Sequence, residues 1–179
     1  MRVFISGGCK NGKSTYAQML AKRQAASTPL YYIATMVSAD HEDTARILRH
    51  QQEREGWGFT TVEQPTDITA ILDTCDPSGS FLLDSTTALL ANEMFTTLGT
   101  CDDTAFDRLA QDLTCILDRV HNIVIVSDYI YSDAMQYDSF TEEYRRHLGA
   151  LDCLLAAKCD VVLEAAYTQI ITHKGAGLI

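Results

Sequence analysis

Apolar and polar positions along this chain follow two rhythms. Short, unbroken apolar runs recur at RVFIS (2–6), LYYIAT (30–35), FLLDS (81–85), NIVIVSD (122–128) and VVLEAA (161–166). Runs without a polar alternate position predict strands buried on both faces, as in a parallel sheet. GFTTVE (58–63) predicts a shorter strand, and TQIITH near the end predicts a last one. Between the runs the spacing turns helical. Ser14 to about Ala25 places Tyr16, Met19 and Leu20 on an apolar stripe, and Pro29 separates it from the next strand. A charged helix is predicted over 40–54, a further one starting in the stretch Pro65–Ile71, and others over 86–96, 103–119 and 139–158. Strands alternating with helices predict an α/β fold, a mostly parallel central sheet with helices on both faces. With no repeat, low-complexity tract or long linker, residues 1–179 are expected to form one domain.

The first strand runs into GGCKNGKS, residues 7–14. This fits G-x-x-x-x-G-K-[ST], with a strand before it and a helix after it, the context in which the motif cradles phosphate. Backbone N–H groups of such a loop form a concave nest for phosphate oxygens, and the helix N-terminus adds partial positive charge. Lys13 is expected to reach the β- and γ-phosphates, and Ser14 to ligate Mg²⁺. The fold expectation therefore sharpens to the P-loop NTPase type. A chance glycine-rich turn is the bland alternative, disfavoured by the register of lysine, serine and flanking elements. The loop says nucleoside triphosphate; it does not say which reaction. An acid ending a neighbouring strand is needed for the metal. Asp84 and Asp128 both qualify; either residue would also serve as a helix cap. Asp84 is the favoured metal acid.

Composition narrows the partners. The formal charge is −10 over 179 residues, and a strongly acidic chain repels nucleic acid and anionic membranes. No apolar run approaches the roughly 18 residues of a membrane span, and the first apolar run stops at Gly7, without the pattern of a secretory leader. The cysteines at 9, 75, 101, 115, 153 and 159 show no CxxC pairing. They read as reduced thiols in a cytoplasmic protein rather than as staples or metal ligands.

In the charged segment DHEDTARILRHQQER, Arg46, His50 and Arg54 lie four apart and would share one helix face. Flanking guanidiniums disfavour the charged imidazole, so His50 would stay neutral and nucleophilic while the arginines hold phosphates. A solvated face with an incidental histidine is the alternative, and on pattern alone it is the commoner one.

The order GGCKNGKS, YIAT, RILRHQQER, TTVE, LLDSTTALLAN resembles the bifunctional adenosylcobinamide kinase / adenosylcobinamide-phosphate guanylyltransferase family of cobalamin biosynthesis, over most of the chain and near the family's length. That family's loop typically reads GGARSGKS, which Gly7, Gly8, Gly12, Lys13 and Ser14 match. Tyr32 to Thr35 match its YIAT strand end; Arg46, Ile47 and His50 match its arginine-isoleucine pair and guanylylated histidine. Glu63, Asp84 and Asn92 match its later glutamate, strand-ending acid and helix asparagine. The resemblance implies one site used twice. A nucleoside triphosphate first phosphorylates the aminopropanol hydroxyl of adenosylcobinamide. GTP then guanylylates His50, and the GMP passes to adenosylcobinamide phosphate. It implies His50 and Lys13 as catalytic residues, with Mg²⁺ on Ser14 and Asp84. The nucleotides ATP and GTP would contact Gly7, Gly8, Cys9, Lys10, Asn11, Gly12, Lys13 and Ser14. Further contacts would come from Ala34, Thr35 and Met36, from Gln51, Gln52, Glu53 and Arg54, and from Glu63 and Asp84. It also implies a homotrimer with a corrinoid site near a subunit boundary.

The chain departs from the family after the strand at 122–127. The family has an asparagine-glutamate pair followed by glycines and a proline; here the sequence is SDYIYSDAMQYDSF. Asp128 stands where the glutamate's role would fall, and the change bears on corrinoid contacts more than on the nucleotide site. Two other readings compete: a plain small-molecule or nucleoside kinase with 40–54 as a lid, and a nucleotide-binding regulatory subunit without turnover. His50 separates them, since neither would form a covalent nucleotide.

Overall fold

The computed structural model describes residues 1–37, 52, 54–95, 102 and 104–179. Most of the predicted helix at 40–54, including Arg46, His50, Gln51 and Glu53, lies outside the described residues.

The described strands are β1 (Arg2–Gly7), β2 (Leu30–Ala34), β3 (Thr60–Glu63), β4 (Ser80–Asp84), β5 (Asn122–Asp128), β6 (Val161–Ala166) and β7 (Gln169–Lys174). They form one seven-stranded sheet in the order β3-β2-β4-β5-β1-β6-β7. All neighbours are parallel except β6 and β7. The described helices are α1 (Lys13–Ala25), α2 (Ile71–Thr74), α3 (Thr86–Met94), α4 (Ala105–Arg119) and α5 (Ser139–Lys158).

Each central strand sends alternate residues to opposite faces, and both faces are covered. Val3, Ile5, Leu82, Val124 and Val126 pack with Ala17, Leu20 and Ala21 of α1. Phe4, Phe81, Leu83, Ile123 and Ile125 pack with α3, α4 and α5 on the other face. This two-sided burial is why the strands read as continuous apolar runs rather than alternating ones. Helix α4 buries Leu109, Leu113, Ile116 and Leu117, the i, i+4, i+7, i+8 stripe of a helix lying on a sheet. Each such side chain contributes about 1.5–3 kcal/mol of burial.

Two expected elements are present in forms the pattern does not specify. The helix starting in Pro65–Ile71 is a 3₁₀ turn, Ile68–Ala70, passing into the single turn of α2. It cannot run on, because Pro77 follows Asp76 and excludes the helical conformation there. The last strand pairs antiparallel to β6 through Tyr167 and Thr168, both left-handed at φ 51° and 63°. Such a mirror turn is normally written Asn-Gly or Asp-Gly, so the hairpin carries no turn signal in sequence.

Candidate active site

The parallel strands bring their C-terminal ends to one edge of the sheet, where open α/β sheets bind ligands. Gly7 stands opposite Asp128, Asp84 opposite Val126, and Ala34 opposite both Asp84 and Glu63. The expected loop, the strand end at Ala34–Thr35, Glu63, Asp84 and Asp128 thus share this edge.

Gly7 is required by close approach: a Cβ there would lie 2.5 Å from the Ala165 carbonyl oxygen and 3.0 Å from Lys13 Cδ. Gly12 is left-handed at φ 80° and caps α1 without a side chain, leaving the helix's first N–H groups facing the loop. Cys9, Lys10 and Gly12 are exposed along the rim, while Gly8, Asn11 and Ser14 are half-buried. Lys13 is 5% exposed. Its Nζ donates to Asp128 Oδ1 at 2.7 Å and to the Gly8 carbonyl at 2.6 Å. A buried ammonium is tolerable only with such partners.

Asp128 is itself held. Its backbone N–H donates to Thr87 Oγ1 at 2.8 Å, and Tyr144 Oη donates to the Thr87 carbonyl at 2.8 Å. Asp84 sits one strand further from the loop. It accepts from Tyr32 Oη at 2.8 Å, and the Arg54 guanidinium lies 3.6 Å above the Tyr32 ring. Burial first, then the Asp84 charge, pushes the Tyr32 phenol far above its ordinary range. Arg54 is 7% exposed, so this residue is packed over Tyr32 of β2 rather than standing in solvent. Gln52 is exposed.

Thr35 follows β2 and ties it to the residue after β4. Its Oγ1 donates to the Ser85 carbonyl and accepts from the Ser85 N–H, both at 2.8 Å. Asn92 Nδ2 donates to the carbonyls of Thr35 at 2.7 Å and Pro65 at 3.0 Å. The expected asparagine therefore braces the YIAT turn. Met36 and Ala34 are half-buried, and Glu63 is exposed. Ser14 and Asp84 offer a hydroxyl and a carboxylate, the hard oxygen donors that suit Mg²⁺, which takes few protein ligands and keeps water.

Two features escaped the sequence reading. Asp152 on α5 is 5% exposed and accepts from Tyr131 Oη at 2.9 Å. Ser6 and Ser127, the paired residues just before Gly7 and Asp128, lie near it with their hydroxyls unaligned for a good hydrogen bond. Burial pushes the Asp152 carboxyl up to about 6, against the downward pull of Ser127, Tyr131 and Ser6. Arg145, also on α5, is 8% exposed. It binds Asp133 Oδ1 at 2.8 Å and Glu142 Oε1 at 2.9 Å, and donates to the carbonyls of Tyr131, Asp133 and Met135. It organises the 129–138 connection. Only the i,i+3 spacing of Glu142 and Arg145 is visible locally.

The fold resembles a KaiC-like protein from Pyrococcus horikoshii, with a TM-score of 0.52 at 13% identity over 97% of this chain and 78% of that one. This likeness establishes the P-loop fold alone. In sequence, the bifunctional adenosylcobalamin biosynthesis protein CobP of Pseudomonas aeruginosa is 29% identical over 167 residues, covering 90% of this chain and 91% of that protein. The protein CobU of Salmonella typhimurium, with the same description, is 25% identical over 174 residues, covering 90% and 93%. The Escherichia coli CobU is 32% identical over 114 residues, 63% of this chain and 60% of that protein. A family model matches residues 3–168. With a phosphate loop, a strand-end acid and a braced YIAT turn along one edge, the chain belongs to the cobinamide kinase / cobinamide phosphate guanyltransferase family.

Proposed function

We propose that this chain carries both transfers of its family in one site at the C-terminal edge of the sheet. In the first, a nucleoside triphosphate seats its phosphates on Gly7–Ser14, and the γ-phosphoryl group moves to the hydroxyl of adenosylcobinamide. In the second, His50 attacks the α-phosphorus of GTP, the bond to the β-phosphate breaks, and pyrophosphate leaves. The guanylyl group then passes from His50 to adenosylcobinamide phosphate, giving adenosylcobinamide-GDP. Lys13 draws charge from the β- and γ-phosphates in both steps. Ser14 and Asp84 would hold Mg²⁺, which neutralises phosphate charge when bound. The remaining expected nucleotide contacts, from Ala34–Met36, Gln51–Arg54 and Glu63, belong to the same proposal, as do a cytoplasmic site of action, a single domain and a homotrimer.

The observation that carries the reading is the Arg54–Tyr32–Asp84 chain of contacts. Arg54 comes four residues after His50. Its packing at the nucleotide edge ties the chain that carries the nucleophile to the strand that carries the metal acid. The test is incubation with α-labelled GTP and Mg²⁺. Wild type should take up acid-labile, base-stable label, and His50→Ala should take up none while still binding nucleotide. Label persisting on His50→Ala would move the nucleophile elsewhere, with His41 the nearest candidate in sequence. A wild type that never labels would replace this reading with a plain kinase or a silent nucleotide-binding subunit.

A further inference from the structure

Asp128 is a carboxylate in direct contact with the phosphate-loop lysine, and the two proposed transfers give it no task. It ends β5, the strand directly beside β1, with its Cα paired to that of Gly7. Its Oδ1 lies 2.7 Å from Lys13 Nζ. A P-loop lysine touches the γ-phosphate, so Asp128 stands one ammonium group away from the phosphorus that is transferred. Asp84, by contrast, is two strands from β1 and engaged with Tyr32.

Once nucleotide binds and Lys13 turns to the phosphates, a carboxylate so close to a triphosphate needs a new partner, a metal ion or a proton donor. The kinase step brings one, the acceptor hydroxyl. We propose that Asp128 is a catalytic residue of the kinase half-reaction, holding the acceptor hydroxyl and taking its proton. The hydroxyl oxygen bonds to the γ-phosphorus, the bond from that phosphorus to the β–γ bridging oxygen breaks, and the nucleoside diphosphate leaves with the electron pair. The hydroxyl proton goes to the Asp128 carboxylate and then to water. An aspartate accepts a substrate hydroxyl proton in the same way in protein kinases. Thr87 and Tyr144 fix the backbone from which Asp128 reaches, and before nucleotide binds the carboxylate serves as the counter-ion of Lys13. Guanylylation of His50 involves no acceptor hydroxyl, so Asp128 has no part in it. This division rests on the two-step reading above.

The test compares the half-reactions in the full-length protein. Asp128→Asn should lower kcat for ATP-dependent phosphorylation of adenosylcobinamide by about 100-fold or more, the usual contribution of a positioned acid or base. The KM for ATP should be unchanged or lower, since Lys13 loses a competing partner, and labelling by α-labelled GTP should stay within about three-fold of wild type. Thr87→Val, which keeps both charges but frees the Asp128 N–H, should lower the kinase rate in the same sense and spare labelling. Kinase activity retained within about three-fold by Asp128→Asn would overturn the proposal. So would a parallel loss of both half-reactions, which would make Asp128 only the holder of Lys13. If wild type phosphorylates adenosylcobinamide but never labels, the two-step reading fails, and the kinase rate of Asp128→Asn still decides the role of Asp128.

Discussion

At the scale of single residues, the charges that meet at the phosphate loop and the neighbouring strand ends carry the predictions for the proposed site. Lys13 has no solvent to fall back on, and phosphoryl transfer depends mostly on placing charge against the phosphates. Lys13→Ala should therefore abolish both product formation and labelling, as read by corrinoid chromatography and by α-labelled GTP. Asp84→Asn should keep the fold and raise the Mg²⁺ concentration needed for half-maximal rate in both half-reactions. Asp128→Asn should leave that requirement near wild type, and a reversed ranking would exchange the two acids' roles. Asp152 allows a stability test with a definite sign. Its carboxyl titrates at about 6 in the folded chain against an ordinary 3.8, so the folded state holds the proton more tightly than the unfolded one. The contribution of Asp152 to stability is then greatest below about pH 4 and falls as pH rises to about 6, by roughly 3 kcal/mol. Asp152→Asn keeps an acceptor for Tyr131 and never ionises. It should raise the Tm at pH 7.5 and flatten the pH dependence of stability between pH 4 and 6.5, both measured by thermal unfolding.

At the scale of elements, most boundaries were legible because their causes are local. β5 and α5 run over 122–128 and 139–158 as the pattern predicts. An unbroken apolar run defines the first. Asp138 begins the second, its carboxylate accepting from the N–H groups of Phe140 and Thr141. The connection 129–138 between them was not legible. No periodicity or turn motif describes it, because its shape comes from one long-range anchor. Arg145 reaches back to three of its carbonyls and to Asp133. Arg145→Met should leave those groups unpaired and cost about 1–3 kcal/mol, discounted for carboxylate partners that are half in water. Faster amide exchange confined to 129–138 would be the signature, and unchanged exchange there would show that the anchor is dispensable. A helix does start in Pro65–Ile71 as expected, but its length was not legible in the apolar pattern: Pro77 leaves room for only one α-helical turn.

At the scale of the whole molecule, the homotrimer proposed from the family resemblance is open to a direct measurement. Light scattering at micromolar concentration should return three times the 19.8 kDa chain mass; a monomer would remove the subunit-boundary corrinoid site. By itself the sequence determined the fold class, the phosphate loop and the family. Each rests on contiguous residues: a loop of eight positions, strands short enough to read as single runs, and motifs in fixed order. It also named the site residues one by one, yet it did not say which of them meet. That depends on strand order, which no local pattern encodes. Only the placement of β5 beside β1 puts Asp128 against Lys13, 115 positions apart. Only the packing of Arg54 over Tyr32 and of Tyr32 onto Asp84 joins three separate segments. Burying a charge forces it to find a partner wherever the chain passes, and which partner is within reach is a property of the assembled sheet.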